Sequence, residues 1–300
     1  MRFSIWPNAG QPWDEIRSIA AHAEQTGWDG VWVADHFMPF MGEVDQPIHE
    51  CWSTLAGLAA AVPRVRIGSI VTGNTYRHPA VLAKQAATVD HISGGRVVLG
   101  LGAGWQENEH RAYGIEYSTV KGRLDRLDEA CAVITSLLRN ERTSFAGEHY
   151  TLVDAPLAPK PVQTRLPLLI GGGGEKRTLK IAARWADEWN VWGDPELLAQ
   201  KGAVLDAHCS DIGRDPAEIQ RSACALLVLS EDASWLDRQR ERDFGRPTIV
   251  GTPAEAVEIV AAYAEAGVHE LLLPDFTMPD PGRKRATYDL FINEVAPHVR

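Results

Sequence analysis

The chain has little cysteine: four residues in 300, none in a C-x-x-C pair. Cys51, Cys131, Cys209 and Cys224 lie far apart in a chain long enough to bury its own core, so a disulfide framework is not expected. Reduced thiols in a cytoplasm follow from that. No H-E-x-x-H pair occurs among the ten histidines, which scatter over different segments, and no metal site is expected. A G-x-S-x-G elbow is also missing, and the cysteines fall mostly within predicted helices or strands, so a hydrolytic triad has no nucleophile. Basic charge is short as well. Thirty Lys and Arg stand against 40 Asp and Glu, a net charge of −10. That balance repels nucleic acid and anionic lipid, so an anionic ligand must be met locally by helix N-termini and a few basic side chains. The opening residues reach Pro7 without a long apolar run, and no later stretch is long and apolar enough to span a bilayer. Neither secretion nor membrane insertion is expected.

Apolar residues make up 45% and charged residues 23%, the balance of a globular protein. Strands are predicted at 2–6, 30–34, 65–71, 97–101, 167–170, 188–192, 222–229 and 270–273, each followed by a helical pattern. The helix after the first strand, 12–26, repeats Ile16, Ile19, Ala20 and Ala23 at helical spacing and closes at Gly27. Runs such as Val97 to Leu101 do not alternate with polar residues, as expected of strands covered on both faces of a parallel sheet. Eight strand–helix units predict an α/β fold, a single (β/α)8 TIM-barrel domain over 1–300. The proline-bearing stretch from about 140 to 165 reads as an insertion over the C-terminal mouth.

Two glycine-rich strand ends dominate the functional reading. Val97 to Gly104 and Leu168 to Gly174 each release an apolar strand into bare backbone that can approach an oxyanion closely, and Glu175-Lys176-Arg177-Thr178 then opens a helix. Neither run has the G-x-G-x-x-G or G-x-x-x-x-G-K spacing of the common nucleotide fingerprints. In a barrel the chemistry sits where strands end. Asp35-His36 follows the second strand directly, bringing a hydrogen-bonding carboxylate and an imidazole, whose ordinary pKa of about 6.5 suits proton relay near neutrality. Glu107 and Glu109 read as helix-start acids that offset the dipole. Trp6, Trp32, Phe40, Trp105, Trp192 and Phe276 fall in or just after strands, and several are expected to line one apolar pocket.

Taken in order, Ala34-Asp35-His36, the segment Gly68 to Ala80, Ser93-Gly94-Gly95-Arg96, Leu101 to Glu109, the Gly171 to Gly174 run and Ala182 to Asn190 resemble the bacterial luciferase-like flavin and deazaflavin oxidoreductases. The resemblance covers nearly the whole chain and is strongest to the branch using coenzyme F420, a deazaflavin. It implies a (β/α)8 barrel with an insertion, Asp35 and His36 beside the deazaflavin ring, and a strand-three segment that props the ring through a non-proline cis peptide. The matching bond is Ser69-Ile70, with Thr72 close behind. The phosphate cradle it implies comprises Ala103, Gly104 and Asn108 together with Gly171, Gly172, Gly173 and Gly174. Arg77, Lys176 and Arg177 are candidate contacts for the acidic tail of F420.

Two positions depart from the sugar-phosphate dehydrogenases of that family. Where those enzymes carry a proton-donating glutamate after the strand-four glycine turn this chain has Trp105, and where they carry a tryptophan after the Asp-His pair it has Phe40. An acid is lost and an aromatic wall remains, so glucose 6-phosphate is not an expected substrate. The resulting expectation is hydride transfer between coenzyme F420 and an apolar or aromatic small molecule held by Trp6, Phe40, Trp105, Trp192 and Phe276. An FMN-dependent monooxygenase fed by a separate reductase, and a non-catalytic ligand-binding barrel, are the alternatives. Homodimers are common in the family.

Overall fold

The computed structural model describes residues 1–39 and 42–300. In chain order its elements begin with β1 (Arg2–Trp6), α1 (Trp13–Thr26), β2 (Gly30–Val33), α2 (Cys51–Ala61), β3 (Arg66–Ser69), β4 (Thr72–Gly73), α3 (Pro79–Ser93) and β5 (Val97–Gly102). They continue with α4 (Glu107–Ala112), α5 (Val120–Arg139), β6 (Arg142–Ala146), β7 (Thr151–Pro156), β8 (Leu168–Gly171), α6 (Thr178–Trp185), β9 (Glu188–Trp192) and α7 (Pro195–Asp211). The last are β10 (Gln220–Cys224), β11 (Leu226–Leu229), α8 (Ala233–Arg240), β12 (Thr248–Gly251), α9 (Pro253–Glu265), β13 (Glu270–Pro274) and α10 (Pro281–Glu294).

Among the described residues eight parallel strands close into a barrel, with β3 and β4 acting as two pieces of one strand. The order is β3-β2-β1-β13-β10-β9-β8-β5, and Ile67 pairing with Val97 joins the ends. The expected TIM barrel is therefore present. Local chemistry sets its punctuation. Gly27 and Gly94 end α1 and α3 in the left-handed region at φ 90° and 70°, while Thr252 and Glu255 form a reciprocal capping box at the start of α9. Strand interiors are buried throughout, as the unbroken apolar runs require.

Three features differ from the sequence reading. The predicted strand 222–229 is two strands: β10 stays in the barrel, and β11 leaves after Ala225 to pair in parallel with β12. The stretch 140–165 contains an antiparallel hairpin, but it packs along α5, where Glu129 accepts the backbone N–H groups of Glu148, His149 and Tyr150. Residues of the 226–246 segment line the mouth instead. Finally, the non-proline cis peptide is Ile70-Val71, one bond beyond Ser69-Ile70. Ser69 is still engaged in the wall, its hydroxyl bonded to both the N–H and the C=O of Gly100, and Ile70 N–H still donates to Val33 O at 2.8 Å. Regular pairing therefore fails one residue later than expected and resumes at Thr72.

The end of the barrel below the strand N-termini is filled by charge. Glu270, 1% exposed, accepts from Ser4 Oγ at 2.6 Å, Trp32 Nε1 at 3.0 Å and Arg2 Nε at 3.0 Å, and Arg66 bridges it to Glu188. Burial acts to raise the Glu270 pKa, but Arg66 and Arg2 outweigh it and hold the carboxyl below its ordinary value. Trp32 is thus spent in this plug rather than in the apolar pocket.

Glycines in the first run do packing work. A Cβ on Gly100 would lie 1.9 Å from the Ser69 carbonyl oxygen, and one on Gly102 or Gly171 would lie 2.8 Å from a Val71 methyl. Gly100→Ala should consequently cost about 3 kcal/mol or more, or abolish folding, since two backbones cannot separate without breaking the ladder. Gly213→Ala, at φ 68° with open space around it, should cost about 1 kcal/mol. Urea denaturation of both variants checks this, and equal midpoints would refute the packing assignment.

Candidate active site

The C-terminal ends of the strands open into a cavity of about 1110 Å³. Asp35 and His36 line it, as do Ile70 to Gly73 from the broken third strand, Gly102 to Trp105, and Gly171 with Gly172. Asp35 is 1% exposed and is gripped by Arg77, whose Nη1 and Nη2 donate to Oδ2 at 2.6 Å and Oδ1 at 3.0 Å. Burial pushes the Asp35 carboxyl up from its ordinary value against the pull of Arg77. For Arg77 burial works against the charge, yet its bonds to Asp35 hold the guanidinium pKa above the ordinary value. Arg77 also reaches Glu50, so it is not the contact for an acidic cofactor tail expected above.

His36 is oriented by a residue that the sequence reading set aside. Glu109 is fully buried and accepts from His36 Nδ1 at 2.8 Å, Phe37 N–H at 2.7 Å, Met38 N–H at 3.1 Å and the Tyr76 hydroxyl. Burial alone would raise its pKa, but the bonds from His36 and Tyr76 hold the carboxyl below the ordinary value. Tyr76 moves the opposite way, its phenol raised first by burial and then by the carboxylate it serves. An ionised Glu109 can only accept, so His36 Nδ1 carries the proton in that bond. The signal for Glu109 lay in helical spacing. Gln106, Glu109 and His110 stand at i, i+3 and i+4 as the buried side of α4, whereas Glu107 is exposed.

Trp6, Trp192 and Phe276 meet in the cavity, with Trp6 centroids 5.7 Å from Trp192 and 5.1 Å from Phe276. Trp105 stands at the rim, 58% exposed and edge-on to His36 at 5.6 Å. Phe40 lies outside the described residues. Ile70, Thr72, Ala103 and Gly104 line the cavity as expected; Ser69 is turned into the wall, and Asn108 in the first turn of α4 is half-buried outside both cavities. Residues that the sequence reading did not nominate, among them Trp235, Arg242, Arg246 and Arg283, come from β11 to α8, the loop that follows α8, and α10.

The second glycine run bridges two spaces. Gly171 and Gly172 face the large cavity, while Gly173 and Gly174 line an adjoining groove of about 480 Å³ with Lys176, Arg177 and Lys201, and Thr178 lines both. Gly172 sits at φ 119°, and a Cβ on Gly173 would press on Val191 at 3.0 Å. Arg177 is paired with Asp125 at 2.6 Å and Lys201 with Glu175 at 2.6 Å. An open groove with bare backbone, the start of α6 and three cations can take a phosphate.

Residues 1–245 match the luciferase-like monooxygenase family. The chain belongs to that family. Its luciferase-like relatives include an F420-dependent glucose-6-phosphate dehydrogenase of Microbacterium testaceum, 30% identical over 96% of this chain and 94% of the relative. Another is the F420-dependent hydroxymycolic acid dehydrogenase of Mycobacterium tuberculosis, 32% identical over 90% of this chain and 73% of the relative. Among solved structures, an F420-dependent secondary alcohol dehydrogenase in complex with an F420-acetone adduct superimposes over 100% of both chains, with a TM-score of 0.86 and 23% identity. That last likeness concerns the luciferase-like fold.

The Glu109 cluster makes a pH-dependent contribution to stability. A carboxyl whose folded pKa is depressed stabilises fully above its unfolded value, about 4.3, and loses that contribution as pH falls through the folded value. Glu109→Gln should cost about 1–3 kcal/mol near neutrality, and the gap to wild type should close on acidification. Denaturation series at several pH values read this directly, and a gap that stays constant would mean that Glu109 is not ionised in the folded chain.

Proposed function

We propose that this protein is a coenzyme F420-dependent oxidoreductase that transfers hydride to or from an apolar or aromatic small molecule. The observation carrying the reading is that Thr178 lines both spaces and Gly172 of the one adjoins Gly173 of the other: a wide chamber fit for a tricyclic ring and an open glycine-walled groove fit for its ribityl phosphate. The cavity volume and the missing Cβ atoms both suit the group. When bound, F420 supplies a two-electron hydride carrier.

The chain supplies the rest. Gly171 to Gly174 and the first turn of α6 hold the phosphate, with Lys176 exposed beside them. Arg77 neutralises Asp35, fixing the edge of the chamber, while Glu109 orients the His36 imidazole to relay a proton beside the substrate. Trp6, Trp192 and Phe276 exclude water and bury an apolar substrate, each Å² removed from water contributing roughly 25 cal/mol. Trp105 at the rim offers no acid, which separates this site from one built for a sugar phosphate. The same reading includes a homodimer and a separate reductase that recycles the cofactor. It also includes a cytoplasmic setting, supported by four buried, unpaired cysteines and by the lack, among described residues, of any helix able to cross a membrane.

Titration of the purified protein with F420 and with FMN, read by fluorescence or calorimetry, tests the cofactor. F420 should bind more tightly; equal or reversed affinities would make the protein a flavin monooxygenase.

Gly173→Val addresses the groove. The valine side chain would occupy space between Val191 and Lys201, so affinity for intact F420 should fall about ten-fold or more, while a ribityl analogue lacking phosphate should bind nearly as before. Equal losses for the two ligands would show that the run is only a turn.

A further inference from the structure

Three arginines line the large cavity without an ion-pair partner among the described residues: Arg242, Arg246 and Arg283. Their neighbours behave differently. Arg240 is paired with Asp237 and Glu255, Lys284 with Asp275, and Arg77 with Asp35 and Glu50. Each unpaired arginine lies over an aromatic ring, Arg242 over Phe244 at 5.0 Å, Arg246 over Trp192 at 5.2 Å and Arg283 over Trp235 at 4.0 Å. Stacking of this kind orients a guanidinium and leaves N–H groups for a planar anion, although Arg242 already spends Nη1 on Gln239 Oε1 at 2.8 Å. Two carboxylates share the lining: Asp35, across the chamber and paired with Arg77, and Asp243, whose Oδ1 accepts from Gly245 N–H at 2.7 Å. With Asp35 offset by Arg77, three positive charges against the one negative charge of Asp243 make this rim locally cationic in a chain whose net charge is −10. Trp192 ties the two halves of the chamber together, since it carries Arg246 on its face and packs against Trp6.

We propose that the substrate is an amphiphilic organic anion, with its apolar body against Trp6, Trp192 and Phe276 and its acidic group held by Arg242, Arg246 and Arg283. This rests on the reading of the chamber as the substrate site of an F420 oxidoreductase and adds the substrate class. Arg246 and Arg283 are the specificity-determining residues, the former because it sits on the tryptophan that the apolar body touches. An acidic group of this kind, carboxylate or phosphate monoester, accepts two parallel N–H bonds from a guanidinium, which a neutral amide or alcohol cannot do.

The test is a binding comparison on the full chain, in the presence and absence of F420, using 2-naphthoate and 2-naphthamide as a matched pair. Wild type should bind the acid about ten-fold more tightly than the amide at low ionic strength, and the preference should shrink as salt is raised. The Arg246→Gln/Arg283→Gln double variant should lose the preference to within about two-fold while keeping its affinity for the amide and for F420. Replacing 2-naphthoate by 2-naphthyl phosphate, compared with 2-naphthol, shows which acidic group the rim prefers. Equal affinity of wild type for acid and amide would overturn the proposal. So would a double variant that loses F420 and retains the acid preference, because the arginines would then serve the acidic tail of the cofactor. Failure of F420 to bind wild type is read separately in the same titration, and it would overturn the underlying reading of the chamber and this proposal with it.

Discussion

One buried carboxylate holds the mouth of this barrel in shape. Glu109 projects from α4 and accepts hydrogen bonds from four donors on two other loops: the His36 ring and the Phe37 and Met38 amides after β2, and the Tyr76 hydroxyl after β4. Burying a charge is expensive, and only a full complement of donors offsets the cost. Once they are in place the loops have few alternatives. Tyr76 lies beside Gly73, where a Cβ would fall 2.5 Å from its ring, and Phe37 packs on Tyr76 at 4.8 Å. The imidazole thus inherits its position and its tautomer from a side chain that has no contact with the cavity itself.

The barrel has two differently engineered ends. Below, Arg66 and Glu270 join β1, β2, β3, β9 and β13 by charge, and nothing there faces an opening. Above, Asp35 and Arg77 form a second buried pair, but it borders the chamber. Stability and chemistry are segregated along the barrel axis, the usual division in this architecture. A fixed lower end lets the upper end carry strongly perturbed groups such as Tyr76 and Asp35.

How much of this was legible in the sequence depended on how local the physics was. Apolar runs bounded by glycine and proline gave the strands, because a strand covered on both faces has no polar alternation to blur it. The same rule misread 222–229, whose apolar residues serve two sheets; only the partners, β9 and β13 before Ala225 and β12 after it, reveal the split. That Asp35, His36 and the glycine run from Gly171 border the cavities was legible because they follow strand C-terminal ends. Glu109 was not found. Two acids at a helix start look alike unless the spacing of Gln106, Glu109 and His110 is weighed, and the donors that meet the inward one, Tyr76 and residues 36 to 38, are remote in the chain. The glycines at 100 and 102 read as a cradle, and Gly102 does border the chamber, but their tight fit against Ser69 and Val71 is a tertiary fact. The same holds for Arg77, whose partner Asp35 is 42 residues away.

The departure of β11 from the barrel has an evolutionary consequence. Because the chain leaves the closed sheet at Ala225 and re-enters it only at β13, the β11–α8–β12 segment carries its own two-stranded pairing, while α9 after it returns to pack on the barrel through Ala256, Val260 and Tyr263. Insertions, deletions or wholesale replacement of that segment leave the register of all eight barrel strands untouched, while altering the face that a substrate meets. The Asp35–His36 pair and the Gly171–Gly174 run, carried by the ends of β2 and β8, lie outside that segment. One wall of the chamber can therefore change in sequence and length while the strand ends that form the opposite wall keep their register.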